Sequence, residues 1–272
     1  AVIAGESVAK LFLGGVIPGI LMGLGLISLA IYVARKRGYP ASDRVSAKDK
    51  WDRFVNSLWG LMTPVIILGG IFSGVFTPSE AAAIAVDYSL FVAFFVYRTM
   101  DLKKLYRLVV NAGVTSALIM FIIATAQLFG WGLAFYEVPE AVAGAFLGVA
   151  GGNRFLVYLM IIIIVLLAGM FMETASALII LTPIFLPTIT QLGGNLVHFG
   201  VLIAIGLAIG MATPPVAIDI YVASAITGLS MEEISRPIIP MVLVLIAVLL
   251  LVTYFPDIAL ILPKLFWGAA GV

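Results

Sequence analysis

Cysteine is absent from the sequence, which removes disulfides, thiolate metal sites and cysteine nucleophiles from consideration. Histidine occurs once, as His198 in "NLVHFG". It stands at an interfacial helix start with no second ligand nearby, so a transition-metal site is not expected. Charge is scarce as well: only 11% of residues are Asp, Glu, Lys or Arg, and they sum to +1. That balance gives a nucleic acid nothing to bind. No nucleophile–base pair and no glycine-rich phosphate loop stands out, so no enzyme is expected. The chain opens on "AVIAGESVAK" with neither a signal peptide nor an initiating Met, as expected of a piece of a longer polypeptide.

What is abundant is apolar. Hydrophobic residues make up 63% of the 272, far beyond what a soluble domain of this length buries. Uncharged stretches run over 11–34, 54–79, 108–136, 155–172, 174–197, 199–218 and 237–256, and an eighth, 81–97, is interrupted only by Asp87. Spanning helices need ~20 apolar residues, so the fold class expected is an all-α polytopic membrane protein. The runs lack period-two alternation, which excludes a barrel. Arg35, Lys36, Arg37, Arg44, Lys48, Lys50 and Arg53 crowd one loop, and Arg98, Lys103, Lys104 and Arg107 another. The positive-inside rule places both loops in the cytoplasm.

Two places break the apolar runs. Residues 154–190 hold two arms meeting at "GMFMETASA", with Glu173 and Thr174 in the middle. A re-entrant hairpin with a shielded polar tip fits this block, and two ordinary crossings remain the alternative. Glu173 reads either as a functional intramembrane carboxylate or as a cap or ion-pair partner. The second break is "GMATPPVAIDIYV", residues 210–222, inside a discontinuous helix over 197–226. Two Thr-Pro sites contrast. In "GVFTPSEAAA", Thr77 caps, Pro78 starts a helix, and Glu80 closes a capping box. At Thr213 and Pro214 the same start is expected, but Val216 replaces the acid and leaves the helix end open. Pro214 and Pro215 cannot donate to the carbonyls of Gly210 and Met211. Freed carbonyls beside a hydroxyl suit an alkali cation, and a half-helix N-terminus suits an anion. The competing reading is a kink repaired by neighbours. Asp219, one turn on, faces either the substrate path or a segment outside this chain.

"TGLSMEEISRPIIP" (227–240) parallels "AGESVAKLFLGGVIP" (4–18), pairing Gly228 with Gly5 and Ser230 with Ser7. The two segments fall on opposite faces, as an inverted-topology repeat requires.

In order, "RKRGYP", "ILGGIFSGVFTPSEAAAIAV", "LFGWGLAFYEVPE", "AGMFMETASALIILTPIFLP", "HFG" and "IGMATPPVAIDIYVASAITG" resemble the C-terminal portion of the large membrane subunit of tripartite ATP-independent periplasmic (TRAP) transporters. The resemblance implies a Na⁺-coupled, elevator-type importer of an organic acid, such as sialic acid or a C4-dicarboxylate, in the bacterial inner membrane. It implies a small membrane (Q) subunit and a periplasmic substrate-binding protein as partners. Its parts would be the end of a first-repeat broken helix with an amphipathic connector (1–10), scaffold helices (11–110), a helix and connector (111–153), a transport part holding hairpin and broken helix (154–226), and an amphipathic linker with the last scaffold helix (227–272). The Na⁺ site would take Gly169, Gly210, Thr213 and Val216, with Glu173, Thr174, Pro214, Pro215 and Asp219 along the substrate path. Ala217 stands where the family often has glycine and Asp219 where it often has Asn, which leaves the substrate open. A single-component anion transporter working without a receptor, a channel and a structural scaffold are the competing functions.

Overall fold

The computed structural model describes residues 1–39, 46–214, 217–268 and 271. Among these, every regular element is helical, and seven helices are long and apolar enough to cross a membrane. The chain forms two compact units, Gly38–Met120 and the combination of Ala1–Arg37 with Phe121–Val272.

In the smaller unit, α2 (Ala47–Phe72) begins earlier than its apolar run because Ser46 caps it, accepting the Asp49 amide at 3.1 Å. Helix α3 (Pro78–Phe91) starts on the Thr77–Glu80 capping box read from the sequence and continues as a π-helical stretch, Val92–Val96. The Tyr88 hydroxyl donates to the Trp59 carbonyl and the Tyr97 hydroxyl to that of Asn56, so α2 and α3 pair antiparallel. Helix α4 (Leu102–Phe135) follows.

The larger unit carries α1 (Val8–Arg37), α5 (Val138–Ala150), α6 (Arg154–Phe171), α7 (Thr174–Gln191), α8 (Leu196–Met211), α9 (Ile218–Thr227), α10 (Met231–Tyr254) and α11 (Asp257–Trp267). Gly5 and Gly228 both adopt left-handed backbone, two residues before Ser7 and Ser230. Helices α1 and α10 begin directly after those serines, so the two aligned segments share a local geometry. Ser230 and Glu233 form a capping box, which starts α10 inside what the sequence reads as a linker over 227–236. Gly14 lies against Val197 and the Ala259 carbonyl, whereas Gly25 lies against Val244. Helices α1 and α10 therefore run antiparallel, and the start of α1 sits beside the start of α8.

His198 stands in the first turn of α8 and is 1% exposed, covered by protein. Its Nε2–H donates to the Val252 carbonyl at 2.9 Å, tying α8 to α10. A buried imidazole needs such a partner, and an apolar neighbourhood supplies only backbone.

Candidate functional site

Helix α6 starts where Gly151 and Gly152, both left-handed, end α5, and Asn153 then accepts the Phe155 and Leu156 amides. Helix α8 starts likewise, on Asn195 accepting the His198 amide. From these starts the two run side by side. Tyr158 meets His198, Val165 meets Gly206, and Gly169 meets Gly210, each pair further along both chains. The order makes α6 and α8 parallel.

The last of these meetings joins hairpin tip to helix break. A Cβ built on Gly210 would lie 2.6 Å from the Gly169 Cα and 2.8 Å from the Leu166 carbonyl oxygen. One built on Gly169 would lie 2.7 Å from the Leu207 carbonyl oxygen. Backbone thus touches backbone, as small residues permit between membrane helices. The structure brings together Gly169 and Gly210, two of the residues read from sequence. Gly206, one turn before Gly210, was not singled out there, although its spacing to Gly210 is that of a helix-packing pair.

The tip is two residues long, Met172 and Glu173. Glu173 caps α7, accepting the Ser176 amide at 3.0 Å, so the capping alternative describes its carboxylate. Thr174 is half-buried and donates its hydroxyl to the Met211 sulfur, a second link from tip to break. Arms α6 and α7 are 18 residues each, long enough to cross, so length does not decide between hairpin and two crossings. Depth is more informative. Gly206 also reaches the Leu249 side chain, and α10 continues from that level for about 27 Å toward Met231. Tip and break therefore lie within the length of α10, not beyond its end.

At the break the sequence reading needs correction. Thr213 does not cap the second half-helix and Pro214 does not start it, because α9 begins at Ile218. The end of α8 tightens instead: the Ala212 amide donates to Ile209 and the Thr213 amide to Gly210, both three residues back. The Thr213 hydroxyl then finds its nearest acceptor in the Ile209 carbonyl, at 2.6 Å. The Gly210 carbonyl, expected to be released, is held by the Thr213 amide at 2.8 Å. The Gly210 carbonyl keeps a further lone pair and the Thr213 hydroxyl oxygen both of its own, whereas the Ile209 carbonyl accepts two bonds. Pro215 and Val216 lie outside the described residues. Helix α9 has no side-chain cap, so its N-terminal end is open, as expected, but four residues later. Asp219 is exposed in its first turn.

Ala217 precedes α9 with φ 47° and ψ 73° and is 1% exposed. An L-residue is strained there, and the glycine frequent at this position in the resembling family would not be. Ala217→Gly is expected to stabilise the protein by roughly 0.5–1 kcal/mol, read as a small rise in thermal midpoint. A lowered midpoint would contradict the strain assigned here.

Chemically, the break offers the Gly210 carbonyl and the Thr213 hydroxyl as oxygens with lone pairs to spare, hard donors both. Among the described residues, no group of three His, Cys, Asp or Glu could hold a metal. A groove of about 240 Å³ lined by Leu11, Gly15, Leu178, Thr182 and Phe199 contains none of the site residues.

Residues 1–258 match the family described as "Tripartite ATP-independent periplasmic transporter, DctM component". The chain is 41% identical over 258 residues to the C4-dicarboxylate TRAP transporter large permease protein DctM of Pseudomonas aeruginosa, covering 95% of this chain and 60% of that one. It is 40% identical over 256 residues to the isethionate TRAP transporter permease protein DctMQ of Oleidesulfovibrio alaskensis, covering 94% and 40%. It is 35% identical over 267 residues to the sialic acid TRAP transporter large permease protein SiaM of Vibrio cholerae, covering 98% and 62%. The chain spans about 60% of the length of the large permease proteins it matches.

Proposed function

The chain belongs to the DctM component family of tripartite ATP-independent periplasmic transporters, and from that premise we propose that it carries the transport site of a Na⁺-coupled importer of an organic acid. The protein is a multi-pass subunit of the inner membrane and not an enzyme. The observation that supports the ion site is the backbone contact of Gly169 with Gly210, which joins the hairpin tip to the helix break.

Na⁺ prefers oxygen ligands, and unwound backbone at membrane depth supplies them. In this reading, the ion binds between tip and break, using carbonyls beside Gly169 and Gly210, the Thr213 hydroxyl and backbone near Val216. Binding there fixes the hairpin against α8. The open N-terminal end of α9 then meets the anionic group of the substrate, with Thr174, Pro214, Pro215 and Asp219 along the path. The substrates in the relatives' names, C4-dicarboxylate, isethionate and sialic acid, share an acidic group. That supports an organic acid, with a carboxylate such as sialic acid or a C4-dicarboxylate as the class proposed. The elevator movement would carry the site across the bilayer past a fixed scaffold. A periplasmic binding protein would deliver the substrate, and a small Q subunit would complete the permease; the fused name DctMQ supports the latter.

The test is uptake of labelled carboxylates by the complete transporter in proteoliposomes, with and without an inward Na⁺ gradient. Replacing Na⁺ by K⁺ is expected to lower initial rates at least about tenfold, equivalent to ~1.4 kcal/mol. Rates that persist unchanged would refute Na⁺ coupling. Full uptake without binding protein would favour the single-component alternative.

A further inference from the structure

We propose that a notch at the start of α6 binds the headgroup of an anionic phospholipid. The notch holds about 180 Å³ and is lined by Arg154, Phe155, Tyr158, Thr253, Tyr254 and Pro256. That is room for about six water molecules, suited to a phosphodiester headgroup and too small for an acyl chain as well.

Its level in the molecule points to lipid. Helix α6 begins at Arg154 and α10 ends at Tyr254, and both are long and apolar enough to span. Their adjoining ends are where the chain leaves the hydrocarbon. Phe155 and Tyr254 pack there with tilted rings, centroids 5.5 Å apart, and a tyrosine is at home at headgroup level.

Its chemistry points to an anion. The Arg154 guanidinium lies over the Tyr158 ring at 5.6 Å, and among the described residues no carboxylate comes within ion-pair distance of it. Tyr158 is 3% exposed and its ring forms one wall, while its hydroxyl lies against Gly194. A guanidinium can present two parallel N–H groups to two phosphate oxygens. The start of α6 adds the positive end of a helix, and the Tyr158 ring backs the guanidinium.

Its side of the membrane makes the cation harder to explain otherwise. Helix α1 runs from this face, where Gly14 touches Val197, to its far end at Arg35, Lys36 and Arg37. Those basic residues follow the positive-inside rule, and Arg154 stands at the opposite face, where the rule predicts few cations. A headgroup that brings its own ammonium would leave that group without a carboxylate, so an anionic lipid is the occupant of choice.

The test uses the purified full-length permease with its small subunit, in detergent. Thermal midpoints are measured with phosphatidylglycerol, phosphatidylcholine or millimolar inorganic phosphate. Phosphatidylglycerol is expected to raise the midpoint by several degrees, on the order expected for saturating a ligand site. Arg154→Gln is expected to remove most of that shift, and Tyr158→Phe, which keeps the ring under the guanidinium, to leave most of it. Arg35→Gln, at the other face, should leave it intact. If Arg154→Gln does not fold, Arg154→Lys, which keeps the charge without the fork, should retain only part of the shift. Native mass spectrometry of the unmodified complex should also find retained phosphatidylglycerol. An equal shift with phosphatidylcholine, an equal shift in Arg154→Gln, or full stabilisation by inorganic phosphate would overturn the proposal.

Discussion

Gly210→Ala is expected to lower Na⁺-driven uptake at least tenfold, the largest effect of any single methyl group in the larger unit. The added carbon would lie 2.6 Å from the Gly169 Cα, 2.7 Å from its carbonyl carbon and 2.8 Å from the Leu166 oxygen. All three are backbone atoms, so no side chain can rotate away and α6 and α8 must part. Overpacking of this kind costs roughly 1–3 kcal/mol, and ångström-scale misplacement of reacting or binding groups can cost about a hundredfold in function. Gly206→Ala is the control. Its methyl meets the Val165 Cγ1 at 2.7 Å, the end of a side chain, which can shift. Initial uptake rates and thermal midpoints of both variants decide the matter. Equal uptake by the Gly210 and Gly206 variants would contradict a site built on this backbone contact.

Thr213→Ala is expected to weaken apparent Na⁺ affinity by about tenfold, equivalent to ~1.4 kcal/mol, while costing little in folding. The hydroxyl donates to the Ile209 carbonyl, but that oxygen also accepts the Ala212 amide and is not orphaned by the loss. The stability change should stay within about 1 kcal/mol, the net worth of one such bond. Thr213→Ser restores the oxygen and should recover most of the affinity. Na⁺ titration of uptake, set beside thermal unfolding, separates the two effects. Parallel losses in both would make Thr213 a residue that only closes a helix end.

How much of this was written legibly in the sequence depends on the kind of signal. Helix α3 was readable from its capping box, because caps are local chemistry. The doubled Gly-x-Ser starts of α1 and α10 were visible as a weak repeat and proved to share left-handed glycines. The break between α8 and α9 was legible from its prolines, but its hydrogen bonds were not. Sequence names which amides are missing. It does not say that α8 tightens its last turn, captures the Gly210 carbonyl and delays α9 until Ile218. His198 illustrates another limit. A polar residue in a first helical turn gives no sign of burial until α10 supplies Val252 as an acceptor 54 residues away in sequence. The meeting of Gly169 with Gly210 likewise depends on the register of two helices, which no single segment contains.

That register rests on two asparagines. Asn153 and Asn195 begin α6 and α8 side by side, and Gly169 and Gly210 follow them after nearly equal numbers of residues. Each helix acts as a gauge, advancing about 1.5 Å per residue from a common origin. One residue inserted into either would carry its glycine about 1.5 Å deeper and turn it by about 100° away from its partner. The depth at which the transporter would hold its ion is thus a matter of counting, set by the length of chain between cap and glycine.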